Sequence, residues 1–238
     1  MENYEIIKDE KLLRQFIEWL PELQDNECYY LCLFAHSKYA KNEDGSNKFP
    51  HIKTDKAQLK RFTVSKKEFI YDKIRQLEVA IGAYKTKDGA DIPQESLALY
   101  ITPNPRNQET AMFSLMKRFI DIQQCKGLNY NIHAEALSAI QKTCSRKVFF
   151  DFDIDSDNAE EIVKSKLDYS KINKDCVNLL KTRGGLHILI ELNKVAVEFK
   201  KTWYLYMTSN FDIDIKGDNM IPVQGTYQGG FIPKLITL

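Results

Sequence analysis

Leu12, Leu13, Phe16, Ile17 and Leu20 recur at spacings of three and four, the period of a helix with one buried face, and predict a helix over residues 9–24. The unbroken apolar run Cys-Tyr-Tyr-Leu-Cys-Leu-Phe-Ala at 28–35 predicts a core strand, and the polar stretch 37–56, with Asn42-Glu43-Asp44-Gly45-Ser46-Asn47, a loop. Ser65 and Glu68 form a capping-box pattern that opens a helix over 66–81. A strand at 97–102 is broken by Pro103-Asn104-Pro105-Arg106, and helices follow over 108–126, ending at Gly127, and over 133–144. The run 147–154 predicts another strand, and Asp157 with Glu160 a second capping box. Strands at 176–182 and 186–192 are joined through Gly184-Gly185 as a hairpin. A helix at 195–208, a short strand at 211–215 and a glycine-punctuated turn at 222–230 complete the chain. The pattern is that of an α/β (α+β) protein with mixed sheets, in two lobes that merge near residues 130–145.

Composition narrows the class. At 238 residues, with 43% hydrophobic and 28% charged positions, the chain has the balance of an ordinary globular protein, and no apolar run reaches the length of a membrane span. The expected location is cytoplasmic, with no membrane partner. Cys28, Cys32, Cys125, Cys144 and Cys176 are odd in number and scattered, without a CxxC pair, which argues against a zinc ribbon and a disulfide framework. Cys28, Cys32 and His36 have a metal-like spacing, but they lie in an apolar run that reads as core. A net charge of +1 hides an asymmetry: residues 36–75 carry eleven Lys/Arg against five Asp/Glu, and 151–161 carry six acids and no base. The basic segment, with Lys53, Lys56, Lys60 and Arg61, could attract phosphates; the acidic one is suited to a cation.

The chemistry concentrates in Val148-Phe149-Phe150-Asp151-Phe152-Asp153. Alternate residues of a strand share a face, so Asp151 and Asp153 project together, and two adjacent carboxylates repel unless a cation stands between them. Removing one is therefore expected to leave the unliganded fold as stable as before, or slightly more so. Thr182-Arg183-Gly184-Gly185-Leu186-His187 follows as a glycine turn entering a strand with a histidine near its start. Strand-borne DxD and strand-borne histidine point to metal-dependent phosphate chemistry, with Mg²⁺ or Mn²⁺ as the ion that carboxylate oxygens favour.

Taken in order, these motifs resemble those of the archaeo-eukaryotic primase superfamily, which includes primase-polymerases. The first motif is Phe149-Phe150-Asp151-Phe152-Asp153, and the second is Gly185-Leu186-His187, with glycine where the family often has serine. The third, a hydrophobic residue and an acid, is ambiguous among Asp212, Asp214 and Asp218. Asp214 is favoured because Ile213-Asp214 ends an apolar strand before a glycine turn. Val223-Gln224-Gly225-Thr226 and Leu99 to Arg106 resemble two further elements of the family, so the likeness spans about residues 28–236. It implies an N-terminal module over about 1–130 and an RRM-like βαβ catalytic lobe over about 131–238, within one catalytic domain. It further implies nucleotidyl transfer, with Asp151, Asp153 and Asp214 as catalytic metal ligands. His187, Arg183, Thr182, Gly185 and Lys234 would bind nucleotide, and Arg106 would join the basic segment on nucleic acid. The implied partners are single-stranded or primed DNA, nucleoside triphosphates, and a helicase or accessory primase domain.

Two other readings compete. A haloacid-dehalogenase-like phosphatase also sets DxD after an apolar strand, but it normally begins with that motif and leaves Gly-Gly-Leu-His without a role. A non-catalytic single-strand binder gains nothing from acids facing phosphates. An EF-hand is excluded by Ser156 and Ile162 at the positions of its glycine and glutamate.

Overall fold

The computed structural model describes residues 2–41, 44–46, 57–86, 88–124 and 131–237. Ten strands occur in it: β1 (Glu27–Ala35), β2 (Ala57–Val64), β3 (Leu97–Ile101), β4 (Arg106–Asn107), β5 (Phe149–Ile154), β6 (Val177–Lys181), β7 (Leu186–Glu191), β8 (Asp214–Gly217), β9 (Ile221–Pro222) and β10 (Lys234–Ile236). The helices are α1 (Glu10–Trp19), α2 (Ile70–Arg75), α3 (Gln108–Gln124), α4 (Ile132–Lys142), α5 (Ala159–Lys166) and α6 (Trp203–Asn210). Among the described residues no helix is long and apolar enough to cross a membrane.

The protein is α+β, built on two sheets. The first runs β2-β1-β3-β9, with β4 also on β1. β1 is buried at every position, and period two divides it. Tyr29, Leu31 and Leu33 pack with Leu13 and Phe16 of α1 and Ile70 and Ile74 of α2. Tyr30, Cys32 and Phe34 face the other way, onto Tyr100, Leu137 of α4 and Met220. Cys28 and Cys32 are thus core residues, as the apolar run predicts.

The second sheet runs β10-β6-β7-β5-β8. In chain order its main part is β5-α5-β6-β7-α6-β8, and both helices cover one face. There Phe152, Ile154, Ile188 and Ile190 pack on Val163 of α5 and Met207 of α6. Each such fully buried large side chain contributes about 1.5–3 kcal/mol. On the opposite face Phe149, Leu180 and Leu189 join the core of the first sheet, so the two sheets share one apolar contact. The acids lie at the far end of that same face.

Every named ladder is antiparallel, so the expected mixed sheets are antiparallel ones. β2 was not foreseen: Gln58 and Lys60 alternate with Ala57 and Leu59 as in a half-buried strand, but Arg61 directly after Lys60 breaks the period, and as an edge strand β2 tolerates both charges. Neither capping box forms. Lys66 precedes the short turn before α2 without a side-chain cap, and Ser65 Oγ instead accepts from Gln108 Nε2 at 3.2 Å. α5 starts after Asn158, also uncapped, and α6 is shorter than the expected helix because a 3-10 turn occupies Val197–Phe199. β8 lies later than expected, since Phe211 is drawn into the core under the second sheet.

A buried polar knot ties these parts together. Asn104 Oδ1 accepts from the amides of Val148 and Phe149 at 2.9 and 2.8 Å, and its Nδ2 donates to the Phe149 carbonyl and to Asp218 Oδ1, both at 2.9 Å. Arg106, 1% exposed, grips Asp218 with two charge-assisted bonds of 2.7 and 2.6 Å. Burial pushes the Asp218 carboxyl up, but Arg106 and Asn104 outweigh it and hold it below the usual range. This corrects one expectation and closes one alternative: Arg106 is a structural cation, closed to nucleic acid, and its partner Asp218 is not the third acid, in keeping with the choice of Asp214. Asp218→Ala should cost about 3–5 kcal/mol in urea unfolding, because it strands a buried guanidinium; a loss below about 1 kcal/mol would show that the knot carries no weight.

Candidate active site

β5 is an interior strand of its sheet, with β7 on one side and the edge strand β8 on the other. In that register Asp153 stands opposite His187 of β7 and opposite Asp214 of β8. Directly opposed residues share a face, and Asp151 joins them by its spacing of two. Three motifs far apart in the chain therefore meet on three adjacent strands.

Asp151 is fully buried, and both its oxygens lie on His187 Nδ1, at 2.9 and 3.1 Å. Burial pushes the Asp151 carboxyl up. Burial also disfavours the His187 imidazolium, but the charge and hydrogen bond of Asp151 outweigh it, and the net shift is upward. The pair thus holds a proton on Nδ1 and turns Nε2 toward Asp153, whose Oδ1 is 3.8 Å away. Asp151 enters the site as the orienting partner of His187 rather than as an open ligand. The expectation that its removal relieves repulsion is reversed, since Asp151→Ala would leave a buried imidazole without its partner.

Lys216, which the motifs of the resemblance do not include, completes the site. Lys216 Nζ donates to Asp214 Oδ2 at 2.9 Å and lies 3.6 Å from Asp153 Oδ2. Its hydrogen bond to Asp214 raises its pKa against the opposing effect of burial, with help from the Asp153 charge. The signal was present in Asp214-Ile215-Lys216, where period two sets the lysine beside the acid. Tyr100, from the first sheet, borders the same region; burial pushes its phenol well up, and the Tyr39 and Asp153 charges add to that.

The hairpin residues have mostly structural roles. The Thr182 amide and hydroxyl both donate to the Gly185 carbonyl, at 2.9 and 3.3 Å. A Cβ at Gly185 would stand 1.9 Å from the Ile154 carbonyl oxygen, so the close approach of the two strands there requires glycine. Arg183 stacks on the Tyr39 ring at 4.7 Å and donates to the Tyr39 carbonyl at 3.3 Å, so it fastens the hairpin to the first sheet. Lys234 pairs in register with Lys181, which opposes Leu186, itself opposite Ile154. That line belongs to the helix-covered face, so Lys234 is on the wrong side of the sheet for the acids. Lys60 is exposed on β2, and Arg61 beside it donates to Ser138 Oγ at 3.2 Å. Lys53 and Lys56 lie outside the described residues.

Among the described residues no three His, Cys, Asp or Glu side chains gather as a complete metal cage. Mg²⁺, however, is commonly held by one or two carboxylates with phosphate oxygens and water completing the shell. Asp153 and Asp214 already share one cation, the Lys216 ammonium, which marks the space between them as cation-binding. The residues fit such an ion. No protein-family model matches the chain, and neither does a curated protein or a solved structure.

The His187–Asp151 pair makes stability depend on pH. With the folded pKa of His187 above its ordinary 6.5, the contribution is complete below pH 6.5 and is lost as pH rises through the folded value. Urea unfolding from pH 6 to 9 should therefore show the wild type losing stability relative to His187→Gln as pH rises. Parallel profiles would contradict the ion pair.

Proposed function

We propose that the chain is a metal-dependent nucleotidyltransferase, the catalytic core of a primase-polymerase that carries out template-directed primer synthesis or DNA polymerisation. The observation that carries this reading is the register of β5, which sets Asp153 between His187 and Asp214. The strand order β6-β7-β5-β8 with two helices on one face supports taking this part as an RRM-like catalytic lobe, the preceding residues forming an N-terminal module. The phosphatase alternative would need Asp151 as an accessible nucleophile, whereas its carboxylate is fully buried against His187.

In this reading Asp153 and Asp214 hold Mg²⁺ or Mn²⁺. Such an ion neutralises triphosphate charge and favours attack by a 3′-hydroxyl. The chain's own residues supply the orientation. His187, fixed through Nδ1 by Asp151, presents Nε2 as a donor to a phosphate oxygen, and burial strengthens that bond. Lys60 and Arg61, with Lys53 and Lys56 in the same basic segment, would follow template phosphates. The substrates are nucleoside triphosphates and single-stranded or primed DNA, with a helicase or accessory primase domain as a further partner.

The test is incorporation of labelled NTP or dNTP on primed and unprimed single strands with Mg²⁺ or Mn²⁺. Asp153→Asn should lower incorporation at least about a hundredfold while the fold is retained, because an amide replaces a charged oxygen donor at the reacting phosphates. Wild-type protein inactive with every template, metal and nucleotide would contradict the proposal, as would an Asp153→Asn variant of near-normal activity. His187→Ala should raise the KM for nucleotide and leave template affinity unchanged; collapse of template binding alone would remove the phosphate role from His187.

A further inference from the structure

Lys216 owes its position to an irregularity in β8. Asp214 opposes Asp153 and Ile215 opposes Phe152, but Gly217, not Lys216, stands opposite Asp151. The strand is bulged there, and Lys216 is the extra residue. By period two its side chain shares the face of Asp214, and its ammonium lies 2.9 Å from Asp214 and 3.6 Å from Asp153. Directly opposed carboxylates on neighbouring strands repel, so a cation at this point is what the facing pair requires. The same oxygens are the ones a divalent ion would take.

We propose that Lys216 is the resident counter-cation of the site: its ammonium bridges Asp153 and Asp214 in the unliganded protein and is displaced when a divalent ion binds, so that it sets the metal affinity by competition. This rests on the assignment of Asp153 and Asp214 as the ion-holding pair. Two cations on one pair of carboxylates repel, so each ion bound expels the lysine head. The Lys216 side chain is 28% exposed, which gives the head a route to solvent along its own flexible stem. A site built this way is kept intact without metal and is selective for a charge higher than one. It discriminates against monovalent ions, which gain no more from the two carboxylates than the ammonium already does.

The experiment is Mn²⁺ titration of the full chain by calorimetry and by electron paramagnetic resonance, comparing wild type with Lys216→Met, which keeps the apolar stem. Removing the competitor should tighten Mn²⁺ binding about fivefold, the effect expected for a partly exposed ion pair. It should also lower the metal-free Tm and enlarge the rise in Tm that Mn²⁺ produces. A second measurement needs only wild-type protein: acylation of Lys216 by an amine-reactive ester, followed by mass spectrometry, should accelerate with saturating Mn²⁺. Unchanged or weaker Mn²⁺ affinity in Lys216→Met, or acylation that Mn²⁺ leaves unchanged or slows, would overturn the competition while leaving the metal site in place. Absence of Mn²⁺ binding in both proteins would overturn the ion-holding pair and this inference together.

Discussion

The site depends on where β5 and β8 are held, and the Asn104–Arg106–Asp218 knot holds both. Asn104 occupies the amides of Val148 and Phe149 and the Phe149 carbonyl, just where β5 begins. Arg106 fixes Asp218, the residue that follows β8. A one-residue slip in either strand would send its acids to the opposite, helix-covered face. A buried ion pair is not by itself a source of stability, but it penalises every register that leaves one partner unpaired. Here that penalty falls on arrangements in which Asp153 and Asp214 fail to meet.

The functional face is a balance of charge that runs from the buried Asp151–His187 pair to the exposed Asp214. Asp151 is offset by His187 and the Asp153–Asp214 pair by Lys216, so each buried or crowded acid has a basic partner from a neighbouring strand or its own. The partners differ in what they allow. His187 is enclosed and held by both oxygens of Asp151, which suits an orienting role. Lys216 is on a flexible stem at a bulge near the edge of the sheet, which suits exchange.

Much of this was legible in the sequence for physical reasons. The alternation around Asp151 and Asp153 gave their common face, and the glycine turn gave the β6–β7 hairpin and the strand position of His187. The choice of Asp214 over Asp218 agrees with the register. What was not legible depended on long-range pairing. Nothing local marks Arg106 as buried, since its partner lies more than a hundred residues away. Lys234 is carried to the other face by pairing with β6, which its own surroundings do not specify. The charged residues of β2 concealed an edge strand, and both capping boxes were overridden by tertiary contacts, as at Ser65 with Gln108. The role of Lys216 depends on the docking of β8 on β5, which brings its ammonium to Asp153 as well as to Asp214.

The most direct test is a crystal structure of the protein soaked with Mn²⁺ and a non-hydrolysable nucleoside triphosphate, with data at the manganese absorption edge. The account predicts an anomalous peak between the Asp153 and Asp214 carboxylates, with a phosphate oxygen within hydrogen-bonding distance of His187 Nε2. A peak elsewhere, or triphosphate bound away from His187 with the carboxylates still on Lys216, would contradict it.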